Sequence, residues 1–400
     1  MRILKVCQAY HPYLAEGGPP VKIRGIAGAL ALLGHRITVL TAYLGPLNGK
    51  GRLPVARVAW GWRANVGAVE TIYLKTRLRY RVLTLNPGVI GFCRERLREF
   101  EIAHVYGLYD LLGPAVTWFC RKWGIPYVIE PLGMTRPMDR SLRLKSVWKG
   151  LVARQHLRQA TRVIATSEQE REELLREGFA PERILVRYNG INGRDFRTLP
   201  ERGAFRRKLA ISDDERLILF LGRLIPRKGA DLLIEALTRL GDGKVRLVIA
   251  GPEGENGYFR FLKKKARELD IERTVTFAGP LYDESKKEAL VDADVFVLPS
   301  RYENFGNAAA EAIACGTPVI VSDRSGIARI VEGRAGLVTS YDAGAVAQTL
   351  KELLGNPALY QRLKAGCAEV VREISWDRLA EAMQHCYAEA KEDSLRQHSI

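Results

Sequence analysis

No apolar run in these 400 residues approaches the roughly 18 to 20 needed to cross a bilayer as a helix, so no membrane-spanning segment is expected. The opening MRILKVCQAY turns polar too soon for a secretory leader and reads as a buried first strand. A cytoplasmic location is expected, with peripheral work at the inner face of the cell membrane left open. Only six cysteines occur (Cys7, Cys93, Cys120, Cys315, Cys367 and Cys386), with no C-x-x-C pair and no histidine at zinc-ligand spacing. That excludes a disulfide framework and a structural zinc, and leaves reduced, mostly buried thiols. Metal-holding D-x-D triplets are missing apart from Asp292-Ala293-Asp294, which stands before the apolar run Val295 to Leu298 and reads as a strand-start or helix-end feature. Chemistry with no metal and no cofactor is the expectation. A G-x-G-x-x-G dinucleotide fingerprint is also absent. The glycine loop after the first strand is Glu16-Gly17-Gly18-Pro19, where a backbone can approach a phosphate or an acceptor, or simply turn.

Four hundred residues allow two domains of ordinary size, and 47% hydrophobic with 27% charged residues is a globular composition. The net charge of +17 is unevenly placed: residues 1 to 195 hold 31 Lys and Arg against 15 Asp and Glu, while the remainder holds 31 against 30. A basic first half suits anionic lipid headgroups, a lipid-diphosphate acceptor, or a solvated arginine-rich surface. Nucleic acid is not expected as a partner, because no recognised binding module accompanies the charge.

Apolar runs rich in β-branched residues alternate with helical patterns, which predicts βαβ units and parallel sheets. Strands are expected at 2–7, 36–41, 69–74, 102–106, 126–130, 162–166 and 184–188, then near 217–221, 245–250, 274–278, 294–298 and 318–321. Helices are expected at 21–33, 111–122, 141–158 and 168–177, and from Ala343 onward with breaks at Gly355-Asn356-Pro357 and Ile374-Ser375-Trp376. Two doubly wound α/β domains follow, hinged in the polar stretch Asn189 to Asp214.

The most informative segment is SRYENFGNAAAEAIAC, residues 300 to 315. Glu303 and Glu311 bracket Asn304, Phe305, Gly306 and Asn307 at what reads as a helix entrance. Unpaired N–H groups there suit a diphosphate, and Gly306 lets it approach closely. Ionised carboxylates only accept hydrogen bonds, so they suit hydroxyl donors such as a ribose and a sugar. With Glu303 in the loop and Glu311 on the third helical turn, the two reach opposite ends of one ligand. A plainer reading makes them a helix-dipole partner and a solvated glutamate. In LILFLGRLIPRKGADLLIEAL, residues 217 to 237, Gly222, Arg223 and Lys228 mark the passage from strand to helix. Ligands of open parallel sheets bind at the carboxyl ends of strands. Cations there can neutralise a departing diphosphate, or be ordinary surface charges.

These residues carry a resemblance. Gly222-Arg223-Leu224 with Lys228-Gly229, Pro299-Ser300, Glu303 with Phe305-Gly306, Glu311-Ala312 and Gly316-Thr317-Pro318-Val319 resemble the retaining glycosyltransferases of family 4. In the first half Gly17-Gly18, Gly34-His35, His104-Val105-Tyr106-Gly107, Glu130-Pro131-Leu132-Gly133-Met134, Ser167-Glu168-Gln169-Glu170 and Asn189-Gly190-Ile191 fall in the family's order, as do Ser375-Trp376 and Tyr387 near the end. The resemblance implies a GT-B architecture, two Rossmann-like domains facing a central cleft. An acceptor-side domain would span 1–192, with 376–400 crossing back onto it, and a nucleotide-sugar domain 193–375.

It also implies a catalytic set of Glu303, Arg223, Lys228 and His104, and donor contacts from Gly18, Gly222, Asn304, Phe305, Gly306, Asn307 and Glu311. Two departures stand out: Tyr106 where many relatives have a second histidine, and Arg329 where many have a glutamate. His104 also reads as a satisfied buried histidine. The implied activity is metal-independent transfer of a hexose from a UDP- or GDP-sugar to a growing glycan, lipid-linked at the membrane face. A synthase or phosphorylase acting on a soluble sugar or sugar phosphate, and a non-catalytic nucleotide-sugar binder, are the alternatives. Two further segments stay open: Trp60 and Trp62 within 43–68 can stack on a sugar, lie at a lipid interface or cover a sheet edge, and the basic amphipathic stretch 141–160 can lie on a membrane or pack on the core.

Overall fold

The computed structural model describes residues 1–398 except 15–17, 46–54, 81–82, 136–147, 242–243 and 255–256. The chain forms two compact units, Met1–Gly190 with Trp376–Ile400, and Ile191–Ser375. The break lies between Gly190 and Ile191, against 192 from the sequence.

In the first unit the order is β1 Arg2–Cys7, α1 Gly18–Leu32, β2 Arg36–Ala42, β3 Ala56–Val58, β4 Gly61–Val66, β5 Val69–Leu74, β6 Leu78–Tyr80, β7 Leu83–Leu85, α2 Gly88–Arg96, β8 Ile102–Tyr106, α3 Leu112–Lys122, β9 Tyr127–Glu130, α4 Arg154–Arg158, β10 Arg162–Ala165, α5 Glu168–Arg176 and β11 Ile184–Val186. Among the described residues nine strands make one sheet, ordered β11-β10-β9-β8-β1-β2-β5-β4-β3, and β6-β7 stand apart as a ribbon. The chain builds outward from β1 through β2 and β5, then returns to lay β8 to β11 on the other side. The order therefore reverses between β1 and β8, where Lys5 lies in register with His104.

Because side chains alternate along a strand, Leu4, Val6 and Val105 join a core beneath α2 and α3, while Ile3, Val39 and Ile102 join one beneath α1 and the final helix. The antiparallel edge β3–β4 was not legible as strands. Its tryptophans cover it: Trp60 meets Phe92 edge-on at 5.4 Å, and Trp62 stacks on Tyr43 at 4.3 Å. Of the amphipathic stretch 141–160, the residues through 147 lie outside the described ones. Beyond them Trp148 packs on the core and donates to the Leu108 carbonyl at 2.8 Å, and Leu157 is buried, as in the packing alternative.

The second unit runs α6 Ala204–Lys208, β12 Arg216–Leu221, α7 Ala230–Leu237, β13 Val245–Ala250, α8 Tyr258–Glu268, β14 Val275–Gly279, α9 Asp283–Asp292, β15 Val295–Leu298, α10 Asn307–Ala314, β16 Val319–Ser322, α11 Ala328–Val331, β17 Gly336–Thr339, α12 Ala343–Gly355 and α13 Pro357–Glu373. Its six strands are all parallel, ordered β14-β13-β12-β15-β16-β17, with the reversal between β12 and β15. Helix starts follow their chemistry: Asp342 accepts from Ala345 N at 2.9 Å, and Asn356 from Leu359 N at 3.0 Å with Pro357 next. Asp292 accepts from the N–H groups of Phe205 and Arg206 at 2.7 and 2.9 Å, and Asp294 pairs with Arg206 at 2.6 Å and accepts from Leu217 N at 2.7 Å. The acidic triplet thus staples α6 to the start of β12, in keeping with the strand-start reading.

The last helix, α14 Trp376–His398, belongs to the first unit. Trp376 nests between two glycines, since a Cβ at Gly25 or Gly190 would lie 2.1 or 2.4 Å from its ring.

Candidate functional site

In the second unit the loops after β12, β15 and β16 meet at the carboxyl end of the sheet, beside the reversal of strand order where open α/β sheets hold ligands. Backbone hydrogen bonds stitch them together. Arg301 N donates to Arg227 O at 2.8 Å, and Arg227 Nη1 to Tyr302 O at 3.1 Å. Glu303 N donates to Arg324 O at 3.0 Å, Gly326 N to Glu303 O at 2.9 Å, and Ile327 N to Phe305 O at 2.8 Å.

Gly229 makes this approach possible. It has φ +74°, and a Cβ there would meet the Pro299 carbonyl oxygen at 2.1 Å, so any other residue would be both strained and in collision. Gly251, just past the neighbouring strand β13, serves the same purpose: at φ +146° its Cβ would lie 1.8 Å from the Gly222 carbonyl oxygen.

On this frame Lys228 and Glu303 form an ion pair, both mostly buried. Glu303 is in the loop and Gly306, at φ +115°, precedes the first residue of α10. Asn307 opens that helix and is exposed, Asn304 is half-buried and Phe305 is buried. Glu311 lies on the second turn of α10, not the third, because the helix begins only at Asn307. Its partner is Lys286 of α9 at 2.8 Å, a residue the sequence did not single out. Gly222 closes β12 by donating to Ala250 O at 3.0 Å, and Arg223 is exposed on the loop beyond it, with no ion pair among the described residues. Lys228, Glu303, the start of α10 and Arg223 are therefore borne by neighbouring loops. Arg329 is exposed on α11.

The two remaining expected residues belong to the first unit. Gly18 is the exposed first residue of α1, while Glu16 and Gly17 lie outside the described residues. His104 is wholly buried: Nδ1 lies 2.6 Å from the Tyr387 hydroxyl and 3.2 Å from that of Tyr106, and Nε2 is 3.5 Å from Glu130. Burial, with Lys5, Arg187 and Lys22 nearby, holds the imidazole well below its usual range. The ring has no exposed surface, and its Nε2 has no hydrogen-bond partner among the described residues.

Around it lies a polar layer that sequence reasoning missed. Glu130 ion-pairs with Lys22 of α1 and with Arg187, all buried. Lys5 of β1 is also fully buried, and its Nζ contacts no carboxylate among the described residues: it donates to Tyr106 at 2.7 Å and to Tyr387 at 3.1 Å. Glu170 accepts from Thr166 N and Oγ1, both at 2.7 Å, and from Gly133 N at 2.5 Å, which fixes the left-handed turn Leu132-Gly133 after β9. The alternation of these polar residues with apolar ones, Lys5 between Leu4 and Val6 and His104 between Ala103 and Val105, was the available signal. No cluster of three metal-ligating side chains occurs among the described residues, and no described helix is long and apolar enough to cross a membrane. All six cysteines are free and buried.

Comparison with known proteins adds to this geometry. Residues 201–369 match the family model of glycosyl transferases group 1, and residues 17–190 that of a glycosyl transferase 4-like domain. A D-inositol 3-phosphate glycosyltransferase of Streptomyces bingchenggensis is 32% identical, over 96% of this chain and 87% of its own. Another, of Thermomonospora curvata, is 30% identical over 94% and 91%. Among solved structures, sucrose-phosphate synthase from Thermosynechococcus elongatus aligns with a TM-score of 0.72 at 22% identity, covering 97% of this chain and 98% of that one. Anabaena HepE in complex with UDP and glucose aligns with a TM-score of 0.73 at 20% identity, covering 97% and 100%.

Proposed function

The chain belongs to the group 1 glycosyltransferases, two parallel-sheet domains of the GT-B class, and from that premise we propose that it transfers a hexose with retention of configuration from a UDP-sugar to a lipid-linked glycan. The observation that carries the reading is the Lys228–Glu303 pair, borne by the loops that also carry Arg223 and the Gly306-led start of α10. In the proposed reaction the bond from the anomeric carbon to the diphosphate breaks, and its electron pair stays on the diphosphate. Arg223, Lys228 and the N–H groups of α10 stabilise that charge, the kind of aimed donor that contributes most to such a step. The acceptor oxygen forms its bond on the face the diphosphate leaves, and its proton passes to the departing phosphate oxygen. No protein base and no metal enter this scheme.

Glu303 holds the Lys228 ammonium and keeps lone pairs for sugar hydroxyls, and Glu311, with one oxygen on Lys286, keeps the other for a ribose hydroxyl. UDP is favoured over GDP because Anabaena HepE was solved with UDP and glucose. A second reading, transfer to a soluble phosphorylated acceptor, is favoured by relatives named for inositol 3-phosphate.

The test pairs UDP- and GDP-sugars with lipid-linked and soluble phosphorylated acceptors, following nucleotide release and the anomeric configuration of the product by NMR. Release from a UDP-sugar, an axial-to-axial outcome, insensitivity to EDTA and loss of turnover in Glu303→Gln are expected. Tight nucleotide binding without turnover would make the chain a binder, and an inverted product would defeat the retaining scheme.

A further inference from the structure

The β6–β7 ribbon is built the wrong way round for a surface hairpin. Its register sets Leu78 opposite Leu85, Arg79 opposite Thr84 and Tyr80 opposite Leu83. Alternation along the strands then gathers Leu78, Tyr80, Leu83 and Leu85 on one face and Arg79 and Thr84 on the other. The polar face is the one turned inward. Thr84 is 1% exposed and accepts from Gln8 Nε2 at 2.6 Å while donating to Asn86, and buried Asn86 donates to Thr76 Oγ1 at 2.9 Å. Arg79 Nη1 reaches the Leu44 carbonyl at 3.2 Å. The apolar face is the one turned outward, with Leu78 68%, Tyr80 67% and Leu85 43% exposed, and Ile90 just beyond it 46% exposed.

Along the sequence a cation stands at every second position from 75 to 81, and of these Lys75, Arg77 and Arg79 are exposed. From residue 71 to residue 94 there is no acidic side chain. Exposed leucines and a tyrosine with exposed cations next to them in the chain match the two layers of a bilayer surface, acyl chains below and phosphates above.

We propose that the β6–β7 ribbon is a membrane-docking wedge, its Leu78–Tyr80–Leu85 face entering the interface of an anionic phospholipid bilayer while Lys75 and Arg77 engage headgroup phosphates. An apolar anchor combined with a basic patch is what reversible peripheral binding requires. A second copy of the chain fits less well, since it would bring like charges together, and three side chains supply little of the roughly 800 Å² per partner of a stable interface. The role this gives the ribbon, holding the enzyme where a lipid-linked acceptor lies, rests on the function proposed above; the docking itself does not.

The experiment uses the full chain with vesicles of phosphatidylcholine alone or with phosphatidylglycerol, read by co-sedimentation at low and high salt. Donor hydrolysis is measured in parallel without vesicles. Wild type should partition onto anionic vesicles and weaken at high salt, as exposed charges are screened. The variant L78S/Y80S should lose about tenfold or more in partitioning, and Arg77→Gln should lose less, both with unchanged donor hydrolysis. Equal partitioning of wild type and L78S/Y80S would overturn the wedge, as would a wild-type dimer that L78S/Y80S converts to monomer in sedimentation velocity. Absent hydrolysis with intact docking would instead sink the proposed function and leave the wedge standing.

Discussion

Lys5 offers a sharp test of the polar layer in the first unit. Its ammonium would have to be charged inside the protein with two tyrosine hydroxyls and, among the described residues, no carboxylate within bonding distance. Burial, reinforced by Arg187, holds it well below the usual lysine range. In the unfolded chain the same group keeps its proton up to about 10.4. Between the two values the unfolded state binds one more proton than the folded one, so stability rises with pH across that window, by about 1.4 kcal/mol per pH unit at full separation. Lys5→Met removes this contribution while roughly conserving volume. Urea denaturation of both proteins from pH 7.5 to 9.5 should show wild-type stability gaining on the variant as pH rises, other groups cancelling in the difference. A flat difference up to pH 9.5 would mean that Lys5 stays charged in the fold and is not a neutral buried amine.

Arg223→Ala and Lys228→Ala should each slow turnover by about 10²-fold or more, the usual effect of removing one charge-stabilising donor; unchanged kcat in folded variants would take them out of the mechanism. Gly229→Ala should destabilise the second unit by about 2–5 kcal/mol, combining overpacking against the Pro299 carbonyl with a left-handed backbone, and should weaken UDP binding by shifting Lys228. A melting temperature equal to wild type would show that the turn relaxes at no cost.

Much of the architecture could be read ahead of the structure because the central strands are apolar and β-branched: β1, β5, β8 and β13 fall where their composition puts them. Other strands escaped for physical reasons. β3 and β4 are rich in arginine, glycine and tryptophan, β17 is four residues beginning with glycine, and in β6 a leucine between arginines looks like a solvated run. At the site, Glu303 and Lys228 were recognisable as types, but their contact joins positions 75 apart in the chain and only the sheet order brings them together. Glu311 was recognisable too, whereas Lys286 was one of two adjacent lysines with nothing in the sequence to tell which would meet it. The burial of His104 was not legible because a strand-end histidine looks the same in sequence whether it faces solvent or a buried tyrosine, and its partner Tyr387 comes from the far end of the chain.

The loop following β16 is fastened to Glu303 and Phe305 through main-chain atoms of Arg324, Gly326 and Ile327. Fastening of that kind is indifferent to side-chain identity at Asp323 and Arg324, both of which face solvent. Substitution of either side chain would therefore leave the main-chain links between these two loops in place.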